Sequence, residues 1–368
     1  MKSRRRLLQI IPRAPDDCGG VGDYARQLAG RLRETYDIES IFVSAAPATS
    51  SSTADNFELL SPLRTVSKTI DPPGALLLHY VNYGYNRRGI PSRLPTVLRR
   101  LTNSGGARLV TIFHELYAAG SWRRSAFWLG PLQKRIARSI ADLSDAAIVS
   151  NETQGAQLER LAPGTRVFVQ PVMSNFGEPA LTRAELAGRD PHRWVICGGN
   201  ELIERSLRSM LQNIPLIPQP YGPRVLVVVG GTESSEIRSL LDRLPDTQTN
   251  YHPRIDSGSA AEVLSNAAFA WLDYFHQPGV ATATILKSTV FAAYCAHGVI
   301  PVFPHAGSPI GLSSDQLPGP FFVTESDQSL PSAEERVDIA FSHHDWYRRH
   351  ASSEHLALTV ATALRLAA

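Results

Sequence analysis

Short apolar runs alternate with amphipathic helical patterns along the chain, and this alternation constrains the fold more than any other feature. In the first half the apolar runs cover residues 7–11, 38–43, 75–80, 108–113, 146–150 and 166–170. Helical patterns lie between them at residues 24–33, 94–101, 132–143 and 153–161. Continuous apolar strands separated by helices are typical of a parallel sheet that is covered on both faces. The sequence therefore predicts an α/β fold.

The pattern stops around residues 171–191, which are rich in Pro, Gly and Asn, and then starts again. We expect further strands at residues 192–197, 224–229, 248–254, 268–275 and 299–303. The helical patterns of this half cover residues 201–212, 236–244, 260–267 and 284–297, with more helix from residue 333 onward. A chain of 368 residues is long for one core. We predict two doubly wound, Rossmann-like domains, at residues 1–175 and 176–345, followed by a last helix at 346–368. Two such domains facing each other would form a ligand cleft at the carboxyl ends of their strands.

A glycine-rich turn joins the first strand to the first helix. It contains Gly19, Gly20 and Gly22, and Asp23 follows in the first helical turn. Glycines allow a backbone to approach a ligand closely, and a helix N-terminus favours an anion. The same turn also suits simple packing of a helix on a strand. Asp23 either stabilises the helix start or acts with Asp16 and Asp17 as a base or as a partner of acceptor hydroxyls.

Three widely spaced cysteines form no metal or disulfide pattern, which favours a reducing cytoplasm. The basic N-terminus precedes an apolar run of only five residues, so we do not expect a signal peptide. No apolar stretch approaches the roughly 20 residues of a membrane span.

Charge is concentrated in residues 85–140, which contain eleven basic residues and one acid, Glu115. This stretch could meet anionic lipid headgroups at the inner face of a membrane or a diphosphate-linked acceptor. The alternative is a solvated arginine-rich helix face. Because no recognised nucleic-acid-binding module accompanies the stretch, we expect no nucleic-acid partner.

Five short motifs in a fixed order resemble those of a known enzyme family. They cover residues 19–22, 111–115, 150–153, 197–199 and 292–301. The chain resembles GT-B-fold glycosyltransferases, close to family 4 (glycosyltransferase group 1). The resemblance implies a retaining hexosyltransferase that takes a nucleotide diphosphate sugar and a glycan or lipid-linked acceptor, in polysaccharide or glycoconjugate biosynthesis. It also implies that the last helix packs back on the N-terminal domain.

His114 ends the fourth apolar run and would lie at the carboxyl edge of the first sheet. The resemblance places it near the transferred sugar, where a neutral imidazole suits hydrogen bonding and proton handling. Glu115 is either a partner of the acceptor hydroxyl or an ion-pair partner of the neighbouring arginines.

The second half would hold the donor. The chain has only four lysines, so Lys287 at a predicted helix start suggests a need for a compact ammonium beside a diphosphate. Ser288 and Thr289 would add hydroxyls. The alternative for Lys287 is an ordinary surface lysine.

The turn Gly198-Gly199 and a basic residue in the following helix complete the predicted donor site. The resemblance favours Arg205 as a phosphate ligand, with Arg208 as its rival. No Asp-x-Asp metal motif is present in a suitable context, so we expect neither a metal nor another cofactor.

The main departure from the family concerns its two glutamates, whose places are taken by Ile285 and Ala293. Donor contacts would then come from elsewhere, for instance from Asp273 or backbone N–H groups. Two alternatives stay open: a catalytically degenerate GT-B binding or scaffold subunit, and a GT-B sugar-nucleotide epimerase. A nicotinamide dehydrogenase is disfavoured because Gly20-Val21-Gly22 lacks the third glycine of that motif.

Overall fold

The computed structural model describes residues 5–13, 20–45, 74–117, 125–217, 221–312, 314–324 and 330–366. The chain forms two compact units. Unit 1 contains Met1–Pro171 and Ser353–Ala368, and unit 2 contains Val172–Ser352. The divisions therefore fall at Pro171 and Ser352, whereas we predicted boundaries at residues 175 and 345.

Unit 1 is built on a six-stranded parallel sheet. Its strands are β1 Arg5–Ile11, β2 Ile38–Ser44, β3 Ala75–Tyr80, β4 Arg108–Phe113, β5 Ala146–Val149 and β6 Val167–Val169, in the order β2-β1-β3-β4-β5-β6. Its helices are α1 Gly20–Tyr36, α2 Asn82–Tyr85, α3 Leu94–Gly105, α4 Ser125–Leu143, α5 Glu152–Leu161 and, at the end of the chain, α12 Ser353–Ala363. All six predicted strands of this half are present.

The two faces of the unit 1 sheet differ. One carries a large apolar core that includes Leu8, Ile10, Leu76 and Leu78. Because successive side chains of a strand point to opposite faces, Gln9 lies on the other face. Helix α1 packs against both β2 and α12, and Arg31 Nε of α1 donates to Ser353 Oγ at 3.1 Å. The last helix is thus part of unit 1.

Unit 2 repeats the architecture with a second six-stranded parallel sheet. Its strands are β7 Arg193–Cys197, β8 Val225–Val229, β9 Gln248–His252, β10 Phe269–Trp271, β11 Ile300–Phe303 and β14 Phe321–Phe322, in the order β14-β11-β10-β7-β8-β9. The short strands β12 Gly311–Leu312 and β13 Asp315–Gln316 pair separately. Its helices are α6 Arg183–Ala187, α7 Asn200–Asn213, α8 Ser235–Leu241, α9 Ser257–Ser265, α10 Thr289–Ala296 and α11 Ala333–His350. The α/β class and the two doubly wound sheets are confirmed.

One predicted helix of unit 2 is divided. Residues 284–297 were predicted as one helix, but a 3-10 segment, Thr282–Lys287, is followed by α10. Ser288 has an extended backbone, with φ −89° and ψ 114°, and its Oγ accepts from Phe291 N at 3.3 Å. Ser288 therefore ends the first segment and caps the second, because a serine hydroxyl can satisfy a free N–H at a helix start. Lys287 ends the 3-10 segment and does not begin the α-helix.

Candidate functional site

His114 lies where we predicted it, directly after β4. Its backbone N–H donates to Tyr80 O, at the end of β3, at 3.1 Å. The preceding carbonyl, Phe113 O, accepts from Gln154 Nε2 of α5 at 3.0 Å. The N-terminus of α5 is capped by Asn151, whose side chain accepts from Gln154 N at 2.9 Å. Two strands and a capped helix therefore hold the backbone at His114. This partly buried residue lies at the carboxyl edge of the sheet.

A second histidine, which we did not predict, lies beside it. His79 of β3 is fully buried, and its Nδ1 is 3.3 Å from His114 Nε2. The two rings are nearly parallel, with an angle of 17° between their planes. Tyr24 of α1 meets both rings edge-on, with centroid distances of 5.1 Å to His114 and 6.0 Å to His79. Tyr24, which we did not predict, follows Asp23 in α1 and packs against this histidine pair.

The pair continues into a chain of hydrogen bonds across the sheet. His79 Nε2 is 2.8 Å from Gln9 Oε1, and Gln9 Nε2 donates to Ser40 Oγ at 2.8 Å. Ser40, Gln9 and His79 lie on the adjacent strands β2, β1 and β3, and His114 follows β4. Gln9 and His79 are polar residues inside otherwise apolar runs, and that pattern was the sequence signal that could have identified them.

Burial keeps both imidazoles neutral at neutral pH. It lowers the pKa of His114 to about 4, because the charged imidazolium loses its hydration. Burial also lowers the pKa of His79 well below its usual value, and the nearby His114 lowers it further. Neutral imidazoles offer one N–H donor and one acceptor nitrogen each.

Most of the other described residues predicted for unit 1 are exposed or partly exposed. Asp23 pairs with Arg26 of the same helix at 3.0 Å, and both side chains are about half exposed. Gly20 is exposed, Gly22 is buried, and Gly19, Asp16 and Asp17 lie outside the described residues. Glu115 is exposed. Burial raises the pKa of Tyr80, and the negative charge of Glu115 raises it further.

The basic stretch is only partly described. Trp122, Arg123 and Arg124 lie outside the described residues. Arg138 is 3.7 Å from Asp142, and Lys134 lies 4.8 Å from the centre of the Tyr117 ring. Part of the positive charge is therefore paired with neighbours in unit 1.

In unit 2, two glycine turns pack against each other at the carboxyl ends of β7 and β8. Gly198 and Gly230 have φ values of +148° and +100°, which side chains rarely adopt. A Cβ at Gly230 would lie 2.6 Å from Gly198 O. Gly199, by contrast, precedes α7 without a side-chain cap, and a Cβ added there would meet no atom within 4 Å. Gly230 is thus required by its packing against Gly198, whereas Gly199 leaves the start of α7 open.

The two candidate arginines of α7 have different environments. Arg205 Nε donates to the backbone O of Asp273 at 2.9 Å, and its side chain is 25% exposed. Arg208 Nη2 pairs with Glu236 of α8 at 2.6 Å, and both side chains are more than half exposed. Arg205 therefore faces the end of β10, and Arg208 faces a neighbouring helix.

Asp273 is the only Asp or Glu that is buried among the residues the structure describes. Its N–H donates to Ser206 Oγ at 3.1 Å. Its Oδ1 lies 3.1 Å from His305 Nε2 and 3.9 Å from Arg205 Nε. Burial raises the pKa of Asp273, while His305, Arg205 and His276 oppose that shift. Arg205, Asp273 and His305 form what we call the unit 2 charge cluster. Arg205 was predicted as a phosphate ligand and Asp273 was suggested as a donor contact, whereas His305 was not predicted.

Lys287 is exposed, Thr289 is half-buried, and the hydroxyl of Ser288 is engaged in capping α10. Ile285 and Ala293, at the places of the family's glutamates, are fully buried. Those two places are therefore part of the apolar core.

Within the described ranges, no three His, Cys, Asp or Glu side chains are grouped so that they could hold a metal ion. No helix in the same ranges is long and apolar enough to span a membrane.

No protein-family model and no curated protein sequence matches the chain. Among solved structures it is similar to an α-glucosyltransferase in complex with UDP and a 13-mer DNA containing an HMU base, with a TM-score of 0.60, 13% identity, and coverage of 99% of this chain and 100% of that one. Alr3699/HepE from Anabaena in complex with UDP-glucose gives a TM-score of 0.57 and 11% identity, over 98% and 99% of the two chains. A Listeria monocytogenes structure described as a UDP-N-acetylglucosamine 2-epimerase gives a TM-score of 0.56 and 11% identity, over 99% and 96%. The chain therefore has a GT-B-like fold, and membership of family 4 stays a prediction.

One expectation is wrong. We excluded a nucleic-acid partner because the sequence contains no recognised nucleic-acid-binding module. The α-glucosyltransferase is solved on DNA, and the similarity covers 100% of its chain. A protein of this fold and length therefore binds DNA without an additional domain, so the absence of a module excludes nothing.

Proposed function

We propose that the chain is a glycosyltransferase that moves a sugar from a nucleotide diphosphate sugar to a hydroxyl of a glycan or lipid-linked acceptor, in polysaccharide or glycoconjugate biosynthesis. The observation that carries this proposal is the whole-length similarity in fold to proteins solved with UDP and with UDP-glucose. Enzymes with open α/β sheets bind ligands at the carboxyl ends of the strands, and each unit has a polar site there.

Unit 2 would bind the donor. The open N-terminus of α7 behind Gly199 offers N–H groups to a phosphate, and Arg205 adds a charge on the same helix. Asp273 holds Arg205 through its backbone carbonyl, which limits the conformations of a long side chain. Lys287 is exposed and would contribute a further ammonium.

Unit 1 would bind the acceptor near His114. A nucleophilic hydroxyl needs an acceptor for its hydrogen bond, and a neutral imidazole supplies one. Because burial lowers the pKa of His114 to about 4, this residue is a weak base and serves mainly to orient the hydroxyl.

In the transfer step, the bond from the anomeric carbon to the diphosphate oxygen breaks and a bond to the acceptor oxygen forms. The departing diphosphate oxygen takes the electron pair of the broken bond and so gains negative charge. It then receives the proton of the acceptor hydroxyl. We propose that Arg205, Lys287 and the helix start offset this charge without a metal ion, and that the anomeric configuration is retained.

The test begins with titration calorimetry of the full chain against UDP, GDP and dTDP and their hexose conjugates. We expect one nucleotide class to bind with a micromolar dissociation constant, and no binding to any of them would contradict the proposal. Transfer of labelled sugar is then measured with glycan, lipid-linked and HMU-containing DNA acceptors, and the anomeric configuration of the product is read by NMR. The preferred acceptor in this panel decides the acceptor class.

An epimerase is the second candidate, because the structure described as a UDP-N-acetylglucosamine 2-epimerase is nearly as similar in fold. An epimerase would convert a UDP-sugar to its epimer with no acceptor present. A catalytically degenerate subunit is the third, motivated by the buried Ile285 and Ala293. Such a subunit would bind the nucleotide sugar but neither transfer nor hydrolyse it.

A further inference from the structure

We propose that Gln9 and His79 are positioning residues that hold His114 in the Nε2–H tautomer, so that His114 presents its unprotonated Nδ1 to the acceptor hydroxyl. This inference rests on the proposed function for the role of the hydroxyl, although the tautomer itself can be measured without it.

The direction of the hydrogen bonds follows from the first member of the chain. Gln9 Nε2 donates to Ser40 Oγ, which leaves Gln9 Oε1 directed at His79 Nε2 at 2.8 Å. A carbonyl oxygen only accepts, so His79 Nε2 must carry a proton. A neutral imidazole has one N–H, and His79 Nδ1 is therefore an acceptor. His114 Nε2, 3.3 Å away, is then the donor, and His114 Nδ1 keeps its lone pair.

Burial makes this arrangement persistent. Gln9 and His79 have no exposed surface, so water cannot replace their hydrogen-bond partners. A buried polar group that loses its partner costs about 1–3 kcal/mol. For His114 to change tautomer, all hydrogen bonds from Ser40 to His114 would have to reverse their direction together.

Ring packing restrains the second degree of freedom, the rotation of the imidazoles. Tyr24 meets both rings edge-on, at 84° to His114 and 80° to His79. A flip of the His114 ring would bring a carbon to the position of Nε2 and break the bond to His79. The contacts with Tyr24 therefore hold the orientation of the rings, and the hydrogen bond to His79 determines which nitrogen of His114 carries the proton.

His79 remains neutral over the working range, because burial and the nearby His114 lower its pKa well below the usual value. A protonated His79 would donate from both nitrogens and reverse the tautomer of His114. The low pKa values of the two histidines thus preserve the direction of this chain of hydrogen bonds.

The test is ¹⁵N NMR of the full chain labelled at histidine, with the His114 signals identified by their loss in His114→Gln. We expect the wild-type protein to show a protonated Nε2 and an unprotonated Nδ1 on His114. His79→Leu removes the nitrogen that accepts the hydrogen bond from His114 Nε2, so His114 should become a mixture of its two tautomers. His79→Asn places an amide oxygen near the former Nδ1 and should restore the Nε2–H form in part. Thr111→Val is the matched control, since it removes another hydrogen bond on the same sheet, at 2.8 Å to Ser144 Oγ.

The activity readout separates positioning from general stability. We expect His79→Leu to lower kcat about 10-fold at unchanged nucleotide-sugar KM, with partial recovery in His79→Asn and no change in Thr111→Val. A protonated Nδ1 in the wild-type protein, or an unchanged His114 tautomer in His79→Leu, would overturn the inference. If the chain transfers no sugar, the proposed function fails while the NMR result still decides the tautomer.

Discussion

The two units carry opposite kinds of polar chemistry at the carboxyl ends of similar sheets. In unit 1, two imidazoles and an amide form a neutral chain of hydrogen bonds. In unit 2, the charge cluster places a guanidinium and a histidine each within 4 Å of a buried carboxylate. A neutral site suits an uncharged hydroxyl, whereas the guanidinium of Arg205 suits a diphosphate. Under the proposed function, this difference assigns the acceptor to unit 1 and the donor to unit 2, and the following experiments test that assignment.

The largest effect expected from a single substitution concerns the glycine turns of unit 2. Gly230→Ala places a Cβ against Gly198 O in a backbone with φ +100°, so we expect a loss of about 3 kcal/mol in the free energy of unfolding. Gly199→Ala is the matched control, because its Cβ would meet no atom within 4 Å. Urea denaturation measures both variants. Equal stabilities for the two would show that the turns do not depend on their close approach.

His114→Ala tests the neutral site. We expect kcat to fall about 100-fold, because the acceptor hydroxyl loses the group that orients it, while the dissociation constant of the nucleotide sugar stays unchanged. Steady-state kinetics and calorimetry measure the two quantities. Glu115→Gln is the neighbouring comparison, for which we expect retained activity, and a loss of activity would assign Glu115 to the acceptor hydroxyl. A weakened nucleotide affinity in His114→Ala would instead connect this residue to the donor.

Acidification should lower the free energy of unfolding of both units, because each contains histidines whose pKa is lowered by burial. Burial lowers the pKa of His114, His297 and His343 to about 4 each. The unfolded chain has a histidine pKa near 6.5, so between pH 6.5 and 4 it binds more protons than the folded chain. The free energy of unfolding should therefore fall as pH falls through this window, by roughly 1.4 kcal/mol per pH unit for each such histidine, and should not depend on them above it.

Urea denaturation at pH 7.5, 6 and 5 measures this dependence. His343→Gln removes a titrating histidine from unit 2, and His114→Gln removes one from unit 1. Each variant should make the free energy of unfolding less dependent on pH. A wild-type stability that is constant from pH 7 to pH 5 would contradict the buried, neutral state of these residues.

Arg205→Ala tests the charged site. Loss of one charge-assisted contact should weaken nucleotide diphosphate binding about 10-fold. Arg208→Ala is the matched control on the same helix, because Arg208 pairs with Glu236 instead. Calorimetry with the preferred nucleotide distinguishes them. If Arg208→Ala weakens binding more than Arg205→Ala does, the donor site is not at the end of β10.

Lys287→Ala should have a smaller effect, roughly a 5-fold loss of nucleotide diphosphate affinity, because an exposed ammonium is well hydrated before it binds. Lys134→Ala in unit 1 is its control. An unchanged affinity in Lys287→Ala removes this lysine from the donor site.

Much of the fold could be predicted from local patterns. All strands of unit 1 and five of the six strands in the second sheet correspond to predicted strands. Most are apolar segments, because a parallel strand covered on both faces needs a continuous apolar run, whereas the edge strand β9 is polar and only partly buried. The strands β12 to β14 have two residues each and leave no such pattern. The interruption before α10 depends on the backbone of Ser288, which residue type alone does not specify.

The sites were less predictable. His114 could be chosen because it follows an apolar run, and Arg205 because the resemblance favours a basic residue after the glycine turn. Lys287 could be chosen because lysines are rare in this chain and it lies at a predicted helix start. The partners Gln9, His79 and His305 were not found, because their roles depend on neighbours far away in the chain.

The sequence by itself determined the α/β class, the repeated architecture and the polar residues at strand ends, because these depend on periodicity and on local turn chemistry. Tertiary structure alone decided which polar residues act together. The strand order β2-β1-β3-β4 places residues 40, 9, 79 and 114 side by side, and burial then makes their hydrogen bonds obligatory. Likewise, only the packing of α7 at the end of β10 and the pairing of β10 with β11 bring Arg205, Asp273 and His305 together.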